Sequence, residues 1–133
     1  MLIQLITAIA ISLLNPTQCA TVDATRLAGT IYAEARGEAA EGQIAVAWVV
    51  RNRVDSPVVW WGTDYQSVLD KPYQFNSSDI TTPALCEIAE GVISGDIPDN
   101  TNGATHFHNR TVSPHWPRLR MVAEIGRHLF YRR

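Results

Sequence analysis

From Ile44 to Val50 the chain reads Ile-Ala-Val-Ala-Trp-Val-Val, without one polar side chain. On a helix of about 3.6 residues per turn such a run is apolar on every side. A helix of that kind has no face to give to water, so other elements must surround it. A chain of 133 residues has room for one such core and not for a second. The helix, expected over Ala40–Arg53, therefore belongs at the centre of a single domain, and Asp55-Ser56-Pro57 breaks it.

The preceding helix is expected from Ala24 to Arg36, with Asp23 as N-cap and Gly37 as the left-handed residue that ends it. Its apolar stripe passes through Leu27 and Ile31, and three residues further lands on Glu34. A carboxylate aimed along a buried face, in the last turn, is an odd place for a merely solvating residue. Val58 to Ser78 reads as irregular and aromatic, with Trp60, Trp61, Tyr65, Tyr73 and Phe75. A third helix starts with Thr82 as N-cap and Pro83 at the first position, buries Leu85, Ile88, Ala89 and Val92, and ends at Gly95. After a turn-rich loop, Thr105–Asn109 alternates as a strand with His106 and His108 on one face. Val122–Ile125 and His128–Tyr131 form a hairpin around Gly126-Arg127. The fold class is α+β, mostly helical, with a small antiparallel sheet to one side.

Composition excludes little beyond disorder. The hydrophobic fraction is 46% and the charged fraction 18%, as in a globular domain, and a net charge of -2 gives no basis for nucleic-acid binding. Arg110, Arg118, Arg120, Arg127, Arg132 and Arg133 nevertheless crowd the last stretch against a lone Glu124, a surface suited to an anionic polymer or simply to solvation.

Leu2 to Leu14 is an apolar run of signal-peptide length, without a preceding Lys or Arg. Residues 1–24 are read as a hydrophobic N-terminal segment, a signal or an anchor, and residues 25–133 as the functional domain. Any membrane contact would run through that segment. Cleavage puts the protein in the periplasm or cell wall; without it the protein waits in the cytoplasm for release, as a phage lysis enzyme does. Cys19 and Cys86 can pair in an oxidising compartment. Cleavage after Ala20 or Ala24 would however remove Cys19, and a buried free thiol at Cys86 is the default.

The segment Ile31-Tyr32-Ala33-Glu34-Ala35-Arg36-Gly37-Glu38, with Glu41-Gly42-Gln43-Ile44-Ala45-Val46-Ala47 and Asn52-Arg53-Val54, resembles the SleB family of cell-wall hydrolases. The match continues through Gln74-Phe75, Asn102-Gly103-Ala104, Thr105-His106-Phe107-His108-Asn109, Trp116 and Ile125-Gly126-Arg127-His128-Leu129-Phe130-Tyr131. This resemblance implies a lysozyme-like domain acting on peptidoglycan. The expected activity is that of a lytic transglycosylase, cutting between N-acetylmuramic acid and N-acetylglucosamine to leave a 1,6-anhydro end. It also implies that Glu34, first glutamate of the Glu-Ala-Arg-Gly-Glu motif, is the catalytic acid.

The residues argue the same way for Glu34, because burial beside Leu27 and Ile31 and a helix C-terminus both disfavour its charged form. The bland alternative is an ion pair with Arg36 or Arg53. Glu38 is the natural second carboxylate for a hydrolase, or an opening charge for the following helix. Tyr32, Tyr73, Phe75, Phe107 and Trp116 are candidates for stacking on sugars, and Gln74 and Asn109 for cleft donors. His106 and His108 are read as cleft walls. With His115, His128 or Glu34 they would alternatively form a zinc site for an amidase or peptidase. Plain muramidase hydrolysis by the same Glu34 and an inactive wall-binding module complete the alternatives. No cofactor is expected, and the protein is expected to be a monomer.

Overall fold

A computed structural model describes residues 18–133. Helix α1 spans Val22–Ala35, α2 spans Ala40–Asp55, a 3-10 turn covers Val59–Trp61, α3 covers Tyr65–Asp70 and α4 covers Pro83–Ser94. Strands β1 (His106–Asn109), β2 (Arg120–Ile125) and β3 (His128–Arg132) form an antiparallel sheet in the order β1-β3-β2. The leader reading of residues 1–24 falls largely outside the described residues.

Helix α2 is the centre of the domain, and its two sides face two different clusters. Val46, Ala47 and Val50 pack with Leu27, Ala28 and Ile31 of α1, Val68 of α3, and Leu85, Ala89 and Val92 of α4. Ala45 and Val49, on another side, pack with Ala104 and with Phe130 of β3. That division is why a helix apolar all round is needed: one side closes the helical layer and the other seats the sheet. Trp48 fits the same scheme, its indole N–H donating to the Ile97 carbonyl at 3.1 Å.

The ends of α1 differ from expectation. Thr21, not Asp23, is the N-cap: its backbone is extended and its hydroxyl accepts the Ala24 N–H at 3.0 Å. Gly37 is not left-handed. Arg36 stays right-handed and the Glu38 N–H donates to the Ala35 carbonyl at 2.9 Å, so the chain turns tightly into α2 without a positive φ. The aromatic stretch is less irregular than its sequence, since α3 sits within it, capped reciprocally by Asp64 and Ser67. At α4 the Thr82 cap, Pro83 start and left-handed Gly95 stop appear as expected. The sheet also follows expectation, with His106 opposite Tyr131, His108 opposite Leu129 and Ile125 opposite His128.

Cys86 is not a free thiol. It is disulfide-bonded to Cys19 across a sequence separation of 67 residues. The sequence alone favours the thiol because Cys19 falls in a segment that reads as a removable leader. In the fold the residues around Cys19 belong to the domain: the Cys19 N–H donates to the Thr25 hydroxyl, and the Ala20 N–H to the Glu90 carboxylate on α4.

Candidate active site

Glu34 stands in the last turn of α1, half-buried at the floor of a groove of about 690 Å³ between the helical layer and the sheet. Among the described residues it is the one carboxylate that lines this groove. Its Oε1 accepts the backbone N–H of Asn76 at 2.6 Å. Burial raises its pKa above the ordinary carboxylate value, and the Asn76 N–H, which favours the charged form, offsets only part of that shift. Among the described residues no arginine or lysine pairs with it. The ion-pair alternative is therefore not what the fold contains.

Backbone contact between α1 and the 74–78 segment holds Asn76 in place. Gly29, one turn and more before Glu34, lies against the Ser78 carbonyl, and a Cβ there would come within 2.1 Å of that oxygen. Gly29→Ala is expected to cost about 1–3 kcal/mol of stability, as overpacking does, and to move Asn76 off Glu34. Thermal melts and turnover measured together check this: wild-type values of both would show that the close approach does not fix the segment.

Arg53, from α2, is the least expected member of the groove. It is buried at 5% exposure and donates from Nε to the Thr105 carbonyl at 2.7 Å and from Nη1 to Gln74 Oε1 at 3.0 Å. The rings of Trp61 and Phe75 lie 5.1 and 4.9 Å from its guanidinium. Burial lowers its pKa to about 10, so it remains charged at neutral pH with no carboxylate against it among the described residues. Because Arg53 takes the oxygen of the Gln74 amide, the NH2 end of that side chain is the donor, with one N–H directed at the Pro72 carbonyl at 3.5 Å and the other left over.

The groove gathers Tyr73, Gln74, Phe75, His106, His108, Asn109 and Trp116 with Glu34. Tyr73 is fully exposed at the rim with a positive φ of 64°, an uncommon backbone state for a bulky residue and one often found at functional sites. Phe75 by contrast packs against both core clusters. Asn109 uses its side-chain oxygen on Thr111, which leaves its NH2. His106 sits edge-on to Trp61 and Trp116, and burial together with the charges of Arg53 and Arg133 lowers its pKa to about 4, so it is neutral near pH 7. His108 meets the Asn109 carbonyl through Nδ1 at 2.7 Å and the Tyr131 hydroxyl through Nε2 at 2.9 Å. A carbonyl only accepts, so Nδ1 donates its proton to it, and Nε2 pairs with the tyrosine hydroxyl. Both nitrogens are thereby occupied. Among the described residues no three His, Cys, Asp or Glu side chains converge as metal ligands.

Two anticipated residues are not brought to the groove. Tyr32 is half-buried against the helical core with the Arg36 guanidinium 5.2 Å from its ring. Glu38, its side chain 11% exposed, turns instead to the hairpin, where Oε1 accepts the Arg127 N–H at 2.9 Å. Its Oε1 also lies 3.4 Å from His128 Nδ1, but that nitrogen makes no hydrogen bond; burial lowers the His128 pKa, so the ring is neutral and the contact is not an ion pair. Glu38 thus joins the α1–α2 turn to the turn at Gly126, whose added Cβ would sit 2.5 Å from Glu38 Oε2. Glu38→Ala is expected to lower stability by about 0.5–1.5 kcal/mol, the net worth of one hydrogen bond, and Glu38→Gln, which keeps an acceptor, by clearly less. Equal melting temperatures for the two variants would contradict this role.

Asn76 contributes through its backbone, which no side-chain pattern announces. Arg53 is signalled in the sequence by the Asn52-Arg53-Val54 segment and as a partner for Glu34, but its hold on Gln74 and the Thr105 carbonyl is not.

Comparison with known proteins follows this geometry. The family described as Cell Wall Hydrolase matches residues 37–131, a span that begins just after Glu34. The chain is 30% identical over 118 residues to a spore cortex-lytic enzyme of Halalkalibacterium halodurans, covering 81% of this chain and 34% of that protein. To the spore cortex-lytic enzyme of Bacillus subtilis it is 29% identical over 119 residues, covering 81% and 37%. The chain thus spans little more than a third of the length of these relatives. The crystal structure of the catalytic domain of the Bacillus cereus SleB protein superposes with a TM-score of 0.75 at 26% identity, over 88% of this chain and 94% of that one. The catalytic domain of the germination-specific lytic transglycosylase SleB from Bacillus anthracis gives 0.73 at 27% identity, over 83% and 93%. A lysozyme-like α+β domain built around one groove-lining glutamate, matched by the family over most of its length and by SleB catalytic domains over nearly all of theirs, belongs to the cell wall hydrolase family, in its SleB branch.

Proposed function

We propose that this domain cleaves the glycan strands of peptidoglycan between N-acetylmuramic acid and N-acetylglucosamine as a lytic transglycosylase, with Glu34 as acid and then base. The observation that carries the reading is the solitary carboxyl. Hydrolases that use two carboxylates hold them roughly 5–9.5 Å apart across the scissile bond, whereas Glu34 has no such partner in the groove among the described residues. A raised pKa keeps a larger fraction of it protonated near neutral pH, which a general acid requires.

In the cycle, Glu34 gives its proton to the glycosidic oxygen as the bond from that oxygen to C1 of the muramoyl sugar breaks. The C6 hydroxyl of the same sugar then bonds to C1 and returns its proton to Glu34. No water is consumed and the carboxyl ends as it began. The Asn76 N–H on Oε1 stabilises the transient carboxylate and leaves Oε2 to carry the proton. Gln74 and Asn109 supply amide donors to the sugar, and Tyr73 and Trp116 supply ring faces. The Cys19–Cys86 bond supports action outside the cytoplasm, where such bonds persist.

The test is mass spectrometry of soluble material released from purified peptidoglycan, with and without chelator. Glycan fragments still carrying their peptides, insensitive to chelator, are expected. Free peptides from intact glycan, abolished by chelator, would refute the reading.

A further inference from the structure

Beyond His106 and Trp116 the groove opens into a second hollow of about 420 Å³. Trp60, Trp61, His106 and Trp116 belong to the walls of both, so the hollow continues the groove and is not a separate cavity. Val58, Pro117 and Leu119 give it an apolar lining. Arg118, Arg133 and His115 give it a rim with no Asp or Glu among the described residues. Trp60 is 58% exposed there, with the Lys71 ammonium over its ring at 4.3 Å.

The charge on this rim is uncommitted. Of the arginines crowded into the C-terminal stretch, Arg110 is held by Glu124 and the Gly126 carbonyl, and Arg132 by the Asn102 carbonyl. Arg118 and Arg133 have neither an ion pair nor a side-chain hydrogen bond among the described residues. Asp55, which shares a neighbouring hollow with Arg133, is already paired with Arg51. The positive field of Arg133 reaches the shared wall, where it helps to hold His106 neutral.

We propose that this hollow is a subsite for the acidic stem peptide borne by the muramoyl sugar of the strand being cut. The inference rests on the glycan-cleaving reading above, and the chemistry of that polymer selects the occupant. Its N-acetylated sugars are neutral, and its free carboxylates reside in the stem peptides. A stem branches sideways from the lactyl group, so it needs a pocket beside the sugar groove and opening from it. Aliphatic parts of the peptide lie against Trp60, Trp116 and Leu119, and its carboxylates meet Arg118 and Arg133, whose planar guanidinium groups suit them.

The probe is a synthetic stem tetrapeptide with free carboxylates, its binding to the intact chain followed by tryptophan fluorescence and calorimetry. Saturable binding is expected, and Arg118→Gln with Arg133→Gln is expected to weaken it about tenfold or more, as loss of charged hydrogen bonds does. Amidation of the peptide carboxylates has the same expected effect. Arg120→Gln, on β2 outside the hollow, controls for net charge and leaves the affinity unchanged. No saturable binding, or equal binding by the double variant, would overturn the proposal. In a second arm, wild type prefers stem-bearing to stem-stripped glycan in kcat/KM, and the double variant loses that preference; a preference that survives would also overturn it. Peptide binding that is intact and arginine-dependent, with neither glycan cut, supports the subsite and refutes the glycan-cleaving reading instead.

Discussion

Replacing Glu34 by Gln lowers glycan cleavage by about 10²–10⁴-fold, the usual contribution of a general acid, and at the same time raises the melting temperature at neutral pH. The second effect follows from linkage. Burial raises the Glu34 pKa in the folded chain, so folding favours the protonated carboxyl. A group of this kind contributes its stability fully below its unfolded pKa of about 4.3, and loses it as pH rises through the folded value. At neutral pH the charged carboxylate is thus held at a cost that an amide does not carry. Gln still offers Asn76 an acceptor. The stability gain should vanish below about pH 4, where wild type is itself neutral. The same titration sets the rate: kcat/KM of the wild type falls as pH rises through the raised pKa. An inactive variant that melts below wild type at neutral pH would point to a structural carboxylate.

Removing the Cys19–Cys86 bond, by Cys19→Ala with Cys86→Ala or by reductant, is expected to lower stability by about 4 kcal/mol. That is the loop-closure value for a separation of 67 residues. The bond fastens the start of α1 to α4, next to the Thr21 cap and the Ala20–Glu90 hydrogen bond. Glu34 stands at the other end of the same helix, so activity is expected to be lost at a lower temperature as well. Denaturant titrations with and without reductant measure the difference. A change below about 1 kcal/mol, well short of the usual disulfide range, would mean that the N-terminal clasp does not constrain the domain.

Those parts of the fold that follow from one helix or one turn were legible in the sequence. The Ile44–Val50 run announced a central helix because a side chain pattern with no polar face allows nothing else. Thr82-Pro83 and Gly95 marked the ends of α4 through backbone rules that act locally. Glu34 was legible because helical spacing carried it onto the face of Leu27 and Ile31. What escaped depends on distant partners. Helix α3 is six residues long, too short for a periodicity to show. Gly37 reads as a stop, but the tight approach of α2 makes a right-handed turn shorter. Glu38 looked like chemistry beside Glu34, and only the hairpin from the far end of the chain shows it held by Arg127. The Asn76 N–H and the pairing of Cys19 with Cys86 carry no local pattern at all.

The most direct measurement digests purified peptidoglycan with wild-type protein in ¹⁸O-labelled water and reads the new glycan ends by mass spectrometry. A single acid that routes the muramoyl C6 hydroxyl onto C1 leaves anhydro ends, each lighter than a reducing end by one water and free of label. Reducing ends that carry the label would show that water is the nucleophile, and would contradict the transglycosylase chemistry assigned to Glu34.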